Sequence, residues 1–331
     1  VLPGWTIRLE NAGGNQGLTG STLTLGASGD TTTGAIILEG DSATSHAVWS
    51  QSANAACITS GARSYWKIRN IKFQNTNGTK TSARGIDFSG SLGTWEIDNC
   101  IFGDSTNTLR MGIERTAGTQ TPVFIRDCAF EFCTAGGLYA IGGVNWFIFG
   151  CTVNDNTGIG IDASIDYLVV HDCIVENNTS DGINSARSTS WVQISGCTID
   201  GNGGDGIDAS ANLLSSLHLF NNNITNNSNY GIRAASGQSA LQNADCNNFY
   251  SNTSGARLNY TAGTNDQAVD PSYTNRSGRD FSVGTSVKAM GCPLTSRYVG
   301  ANRSATRSYV DIGAAQRQES ASGGGSHVIG G

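Results

Sequence analysis

Proline supplies only 4 of the 331 residues, and charged side chains only 14%. Turns therefore fall to Gly, Asn, Asp and Ser, which tolerate left-handed backbone or bond their own main chain. No stretch keeps a heptad, which excludes a coiled coil, and no apolar run is long enough to cross a bilayer, so no membrane span is expected. No Cys-x-x-Cys pair is present to clasp a metal, and His46, His171, His218 and His327 share no metal-like spacing. His171, just before Cys173, reads as a solvent-facing side chain. A Ser-His-Asp frame, a phosphate loop and a nucleic-acid motif are equally missing, which removes nucleic acid as a partner. The chain begins at Val1 without an initiator Met or a basic-plus-apolar leader and reads as a processed chain or a fragment. These absences describe a soluble, β-rich, helix-poor protein.

What is abundant is glycine, 44 residues, set within a short phrase that keeps returning. It reads Ile97-Asp98-Asn99-Cys100, Ile125-Arg126-Asp127-Cys128, Ile148-Phe149-Gly150-Cys151, Val170-His171-Asp172-Cys173 and Ile194-Ser195-Gly196-Cys197. With Ile71, Asn222 and Cys246 at the same phase, the steps are 29, 28, 23, 22, 24, 25 and 24 residues. A unit this short is one coil of a solenoid, because it cannot bury an apolar face alone. Apolar residues stand five and three places before the phase, as in Trp95 and Ile97 or Val192 and Ile194. They stand again two places after it, at Phe73, Phe102, Phe130, Val153, Val175, Ile199 and Ile224. That is the period-two pattern of strands with one face inward.

Because Ile71 and Asn222 share the cysteine position, it is an inward packing position. Neighbouring coils bring Cys100, Cys128, Cys151, Cys173 and Cys197 within disulfide reach, and stacked free thiols, acting as small buried hydrophobes, are the preferred reading. Five residues past the phase stand Asn156, Asn178, Asn202 and Asn227, whose amides are expected to bond along the axis as a ladder. A second column follows: Gly85-Ile86, Gly112-Ile113, Gly137-Leu138, Gly160-Ile161, Gly182-Ile183, Gly206-Ile207 and Gly231-Ile232. Glycine there supplies either positive φ or close approach. Three short strands per coil fit these lengths, and a strand spacing of about 4.8 Å places Gly85 to Gly255 along roughly 34 Å of rod.

These coils, the Asn column and the Gly-Ile-Asp turns resemble right-handed parallel β-helix proteins of the pectate-lyase-like superfamily. The resemblance implies an all-β, single-stranded right-handed parallel β-helix (solenoid) with N- and C-terminal caps. Its parts would be an N-terminal cap region over residues 1–63, the coils over 64–264, a C-terminal cap over 265–318, and a flexible Gly/Ser-rich tail over 319–331. Tyr309-Val310-Asp311-Ile312-Gly313-Ala314 is expected to include a short strand, and it is similar to the Asp-Ile-Gly-Ala ending of β-helix proteins from bacteria and bacteriophages. The opening loosely resembles phage virion and tail-associated β-helix proteins. Together these imply a virion or an extracellular or cell-surface location.

Charge is uneven: residues 1–270 carry 13 basic and 23 acidic side chains, and residues 271–331 carry seven Lys/Arg against three acids. The preferred reading is an acidic solvated surface with a basic end; the sharper one is that the basic end docks on something acidic. After each Gly-aliphatic pair comes an outward column, Asp87, Glu114, Tyr139, Asp162, Asn184, Asp208 and Arg233. Asp162 and Asp208 would stand about 9.6 Å apart by strand spacing, near the upper limit for an inverting carboxylate pair. Catalytic candidates are Asp162 and Asp208, with Asp205 beside them and Arg187 or Arg233 as the base of a calcium-assisted lyase. Carbohydrate-binding candidates are Tyr139, Asp162, Asn184 and Asp208. Asp and Asn are also ordinary turn residues, and the motifs of polygalacturonase-like hydrolases are missing beyond Asn156-Thr157-Gly158 and His171-Asp172. The expectation is a non-catalytic structural or attachment protein of a virion or extracellular surface, self-associating or packed on neighbouring surface proteins, with no cofactor. The alternatives are a lyase or glycoside hydrolase acting on an acidic polysaccharide, with calcium if a lyase, and a carbohydrate-binding adhesin.

Overall fold

The computed structural model describes residues 4–283 apart from 10–17, 20–21, 31, 33, 41, 91–92, 117–121, 187–189 and 239–241. Arg187, the expected strand at Tyr309 and the Gly/Ser-rich tail lie outside the described residues.

Each regular coil contributes three strands, as in Trp66–Arg69, Ile71–Asn75 and Arg84–Phe88. All pairings between these strands and those of the next coil are parallel and in phase, Trp66 beside Trp95, Phe73 beside Phe102 and Ile86 beside Ile113. The second strands form a 10-stranded sheet, and the first and third strands share an 18-stranded one. They share it because in mid-rod a third strand runs on into the next first strand, over Gly136–Phe149 and Ile159–His171. The chain is a right-handed parallel β-solenoid with almost no helix; a 3-10 turn spans Arg276–Gly278. The register continues below residue 64, where Ile36–Gly40, Ala47–Gln51 and Ile58–Thr59 pair with the three strands of the next coil.

Two left-handed residues per coil make its corners. One precedes the cysteine phase, at Asn70, Asn99, Asp127, Gly150, Asp172, Gly196 and Asn221; the other precedes the Asn column, at Asp155, Asn177, Gly201 and Asn226. Asn, Asp and Gly bear this conformation at the least cost. The seven column glycines from Gly85 to Gly231 have no positive φ; close approach requires them. Gly255, expected to continue the column, has φ 126° and pairs with Tyr230, one residue ahead of it. A Cβ on Gly112 would stand 2.4 Å from the Phe130 ring and 2.7 Å from the carbonyl of Gly137.

Cys57, Cys100, Cys128, Cys133, Cys151, Cys173 and Cys197 are free and buried. Burial pushes the thiols of Cys128, Cys151, Cys173 and Cys197 well above the ordinary range, so they are inert packing groups. Cys246 corrects the sequence reading twice. It is disulfide-bonded, and it occupies the left-handed corner with φ 57° rather than the cysteine phase. Asn247 takes that phase, accepting from Asn222 Nδ2 at 2.9 Å and donating to Asp266 at 3.2 Å. The phase was misassigned by one because Asp245-Cys246-Asn247 offers a cysteine beside the polar residue that the inner column needs.

Asn156, Asn178, Asn202, Asn227 and Asn252 form a continuous ladder, each side-chain amide donating to the next at 2.8–3.0 Å. Each also donates inward to a backbone carbonyl, for example Asn202 to Val175 at 3.1 Å. Residues 263–270 close the far end: Phe249 N donates to the Gln267 carbonyl at 2.9 Å, and Val269 N to Asn248 Oδ1 at 2.9 Å.

Candidate functional site

On the third strands the aliphatic residue after each glycine points in, so the next residue points out. Register sets these outward residues side by side in the order Asp87, Glu114, Tyr139, Asp162, Asn184, Asp208, Arg233. Asp162 and Asp208 are thus two strand spacings apart with Asn184 between them, and Asn184 Nδ2 donates to Asp162 Oδ1 at 3.1 Å. Burial pushes the Asp162 carboxyl up to about 6; the Asn184 bond pulls it down and neighbouring Asp181 pushes it up. Arg233 bridges two carboxylates, Nη2 lying 2.8 Å from Asp208 and Nε 2.7 Å from Asp205, whose carboxylate is fully buried. Partial burial pulls the Arg233 pKa down, but Asp208 and Asp205 outweigh it and hold the guanidinium protonated. A general base needs the opposite, so the idea of Arg233 as a lyase base does not fit its surroundings. Further along the column, Glu114 is buried between Arg84 and Arg110, with Arg110 Nη1 at 2.8 Å.

A second column escaped the sequence reading. On the outer face of the second strands, register aligns Glu131, Asn154, Glu176, Asp200 and Thr225. All lie three residues past the cysteine phase, so the repeat already carried the signal that would have found them. Asp200 is 1% exposed and accepts from Thr225 Oγ1 at 2.6 Å, Asn226 Nδ2 at 2.7 Å and Arg276 Nε at 2.5 Å. Glu176, one strand spacing away, is pushed by burial up to about 7, with Arg279 pulling it down. Arg279 Nε lies 3.3 Å from Glu176, and its guanidinium also contacts Asp155. These two arginines, the described members of the basic C-terminal portion, meet the acidic column of their own chain. A cavity of about 400 Å³ remains between them, lined in part by Glu176, Asp200, Tyr273 and Arg276.

The first strands carry aromatic side chains outward. Phe124 and Phe147 stack at 5.0 Å, Tyr167 and Trp191 at 4.2 Å, and His218 lies 4.8 Å from Trp191. Rings stacked along the axis cover one another's faces and turn their edges outward, so they consolidate the sheet. His171 was expected to face solvent. It points outward but is 6% exposed, with Nδ1 2.9 Å from Ser195 Oγ.

Residues 54–213 match the family model described as the right handed beta helix region. Among solved structures, pectate lyase Pel9A superposes with a TM-score of 0.69 at 17% identity, over 96% of this chain and 89% of that one. The A-modules of the mannuronan C-5 epimerases AlgE6 and AlgE4 of Azotobacter vinelandii align at 12% and 10% identity with a TM-score of 0.32, over 80% of this chain and 91% and 87% of theirs. No curated protein sequence matches the chain. The likeness to Pel9A is one of fold, which hosts unrelated chemistries.

Proposed function

We propose that this chain is a non-catalytic β-helical rod that serves as a structural or attachment element of an extracellular or virion surface. The observation that carries this reading is the closure of its outward charged columns. Arg233 spans Asp205 and Asp208, Asn184 ties Asp162, and Arg276 and Arg279 occupy Asp200 and Glu176. Side chains that would act on a substrate are held by neighbouring coils. Ladders of this kind hold every coil to the next and favour a stiff, protease-resistant rod that packs beside copies of itself or beside a neighbouring surface protein.

A second reading is favoured by one specific group. Asp162, with its carboxyl raised to about 6, can hold a proton near neutrality two strand spacings from Asp208, as an acidic-polysaccharide hydrolase or lyase would require. The resemblance in fold to a pectate lyase agrees with it, and calcium would be the cofactor of the lyase form. Incubating the full chain with polygalacturonate and with alginate, with and without calcium, separates the readings. The rod reading expects no new reducing or unsaturated ends; turnover that disappears in Asp208→Ala would overturn it. Saturable glycan binding without turnover, lost on substituting Tyr139 or Asn184, would mark an adhesin instead.

A further inference from the structure

The last coil lacks the second neighbour that every inner coil has. Its strands Gln242–Asp245, Asn248–Tyr250 and Gly255–Leu258 pair with the coil before them, and among the described residues a stretch of irregular chain, 261–269, covers their far side. That stretch reaches the first strand through side chains, Thr261 N donating to Gln242 Oε1 at 3.0 Å and Asn265 N to Asp245 Oδ1 at 2.6 Å. None of Gln242–Asp245 is buried, whereas the strand beneath it, Ser216–Phe220, buries Leu217 and Leu219. In a stack of coils the end unit opens most readily, because it has a full interface on one side. This strand is the weak end of the rod.

Cys246 follows that strand directly. The seven coils before it place Asn, Asp or Gly at this left-handed corner, whereas Cys246 adopts φ 57° with neither the freedom of glycine nor the local side-chain bonding of Asn and Asp. Its sulfur is committed instead to a disulfide. The chain has nine cysteines, and the seven other described ones are free. Cys292, which lies outside the described residues, is therefore the one cysteine of the chain left to pair with Cys246. The column thiols stay out of such chemistry. Cys151 and Cys173, 1% and 0% exposed, donate to the carbonyls of Phe149 and His171 at 3.3 Å each, so an oxidant that reaches Cys246 leaves them reduced.

We propose that Cys246 and Cys292 form an intrachain disulfide that clamps the last coil, and that the chain needs an oxidising compartment to keep this end closed. Forming the bond joins the two sulfurs and passes two electrons and two protons to a disulfide donor such as oxidised glutathione, which leaves as two thiols. A cross-link over a long loop restricts the unfolded chain and so holds the end that frays most easily. Disulfides of this structural kind persist outside the reducing cytosol. The proposal rests on the reading of a rod at an extracellular or virion surface and names the redox chemistry that such a rod meets. It makes no claim about turnover, so the two fail by different measurements.

The test starts from the full chain refolded with oxidised glutathione, alkylated in denaturant and digested with trypsin without reduction. Seven thiols should take up label, and the peptides 234–257 and 289–297 should appear as one linked species that separates on reduction. Label on Cys246, or its linkage to any other cysteine or to a second chain, overturns the pairing. Amide exchange then reads the clamp. Cys246→Ser and Cys292→Ser should each speed exchange in Gln242–Asp245 and Asn248–Tyr250 by about tenfold or more, the double variant should go no further, and Trp191–Ser195 in mid-rod should not change. Exchange in the last coil that is unaltered overturns the clamp. Should a variant fail to fold, the unsubstituted chain equilibrated with reduced and with oxidised glutathione gives the same comparison, and equal rates in the two overturn the need for an oxidising compartment.

Discussion

The two halves of the rod solve one packing problem differently. The early coils, with steps of 28 and 29 residues, fill their interior with aromatic rings. Phe73, Phe102 and Phe130 stack at 5.0 and 4.6 Å, Trp66 stacks on Trp95 at 6.3 Å, and Phe88 meets Trp95 edge-on at 4.9 Å. The later coils, with steps of 22 to 25, carry Val153, Val175, Ile199 and Ile224 at the position of those phenylalanines and run the Asn ladder beside them. The glycines follow the change. A Cβ on Gly85 or Gly112 would meet a phenylalanine ring at 2.4 Å, whereas on Gly182 or Gly206 it would meet a ladder amide at 2.9 or 2.8 Å. One half relies on buried area and ring stacking; the other relies on buried amides that are fully paired.

Four predictions probe this contrast, from the largest effect to the smallest. Phe102→Ala removes the middle ring of the aromatic stack and should cost about 3–5 kcal/mol in urea unfolding; a loss below about 1 kcal/mol would show that the early half does not rest on the stack. Asn202→Ala removes side-chain bonds to the Val175 carbonyl, Asn178 and Asn227; Asn227 Oδ1 keeps the Asn202 backbone N–H and Asn178 Nδ2 keeps the Val153 carbonyl, so the net cost should be about 1–3 kcal/mol. The same change at Asn252, the partly exposed end of the ladder, should cost less, and equal costs would sink the idea of a cooperative ladder. Gly112→Ala and Gly206→Ala should each destabilise by about 1–3 kcal/mol through overpacking, and a neutral result in either half would remove close approach as the reason for its glycine.

The smallest effect is on pH dependence. Asp162 and Glu176 are raised in the folded chain from ordinary values of 3.8 and 4.5 to about 6 and about 7. The folded state therefore binds their protons more tightly than the unfolded state, so their contribution is fully present below the unfolded values. It is lost as pH rises through about 6 and about 7. Glu176→Gln should flatten the upper part of that fall, measured as unfolding midpoints on either side of neutrality; an unchanged slope would place the titration elsewhere.

The strand positions and the direction of each inward residue were legible from the repeat, because a stack of coils enforces one period on every column. Trp95, Ile97 and Phe102 lie where the spacing puts them. The outward column from Asp87 to Arg233 was equally legible, since it stands one residue past an inward aliphatic. What those outward residues bond to was not. Arg233 could be sketched as a base from sequence, but only the fold shows two carboxylates holding it protonated. The hairpin at 273–283 follows no period, so nothing in the chain announced that Arg276 would meet Asp200, 76 residues away.

The sequence by itself determined the architecture: a recurring step of 22 to 29 residues and inward columns of cysteine, asparagine and aliphatic residues, because side-chain direction in a strand alternates and successive coils stack in phase. The tertiary structure alone decided which charges neutralise which, that Cys246 leaves the inner column, and that the C-terminal arm roofs the second face. Those outcomes depend on contacts between residues that no period relates, and such contacts exist only once the coils have stacked.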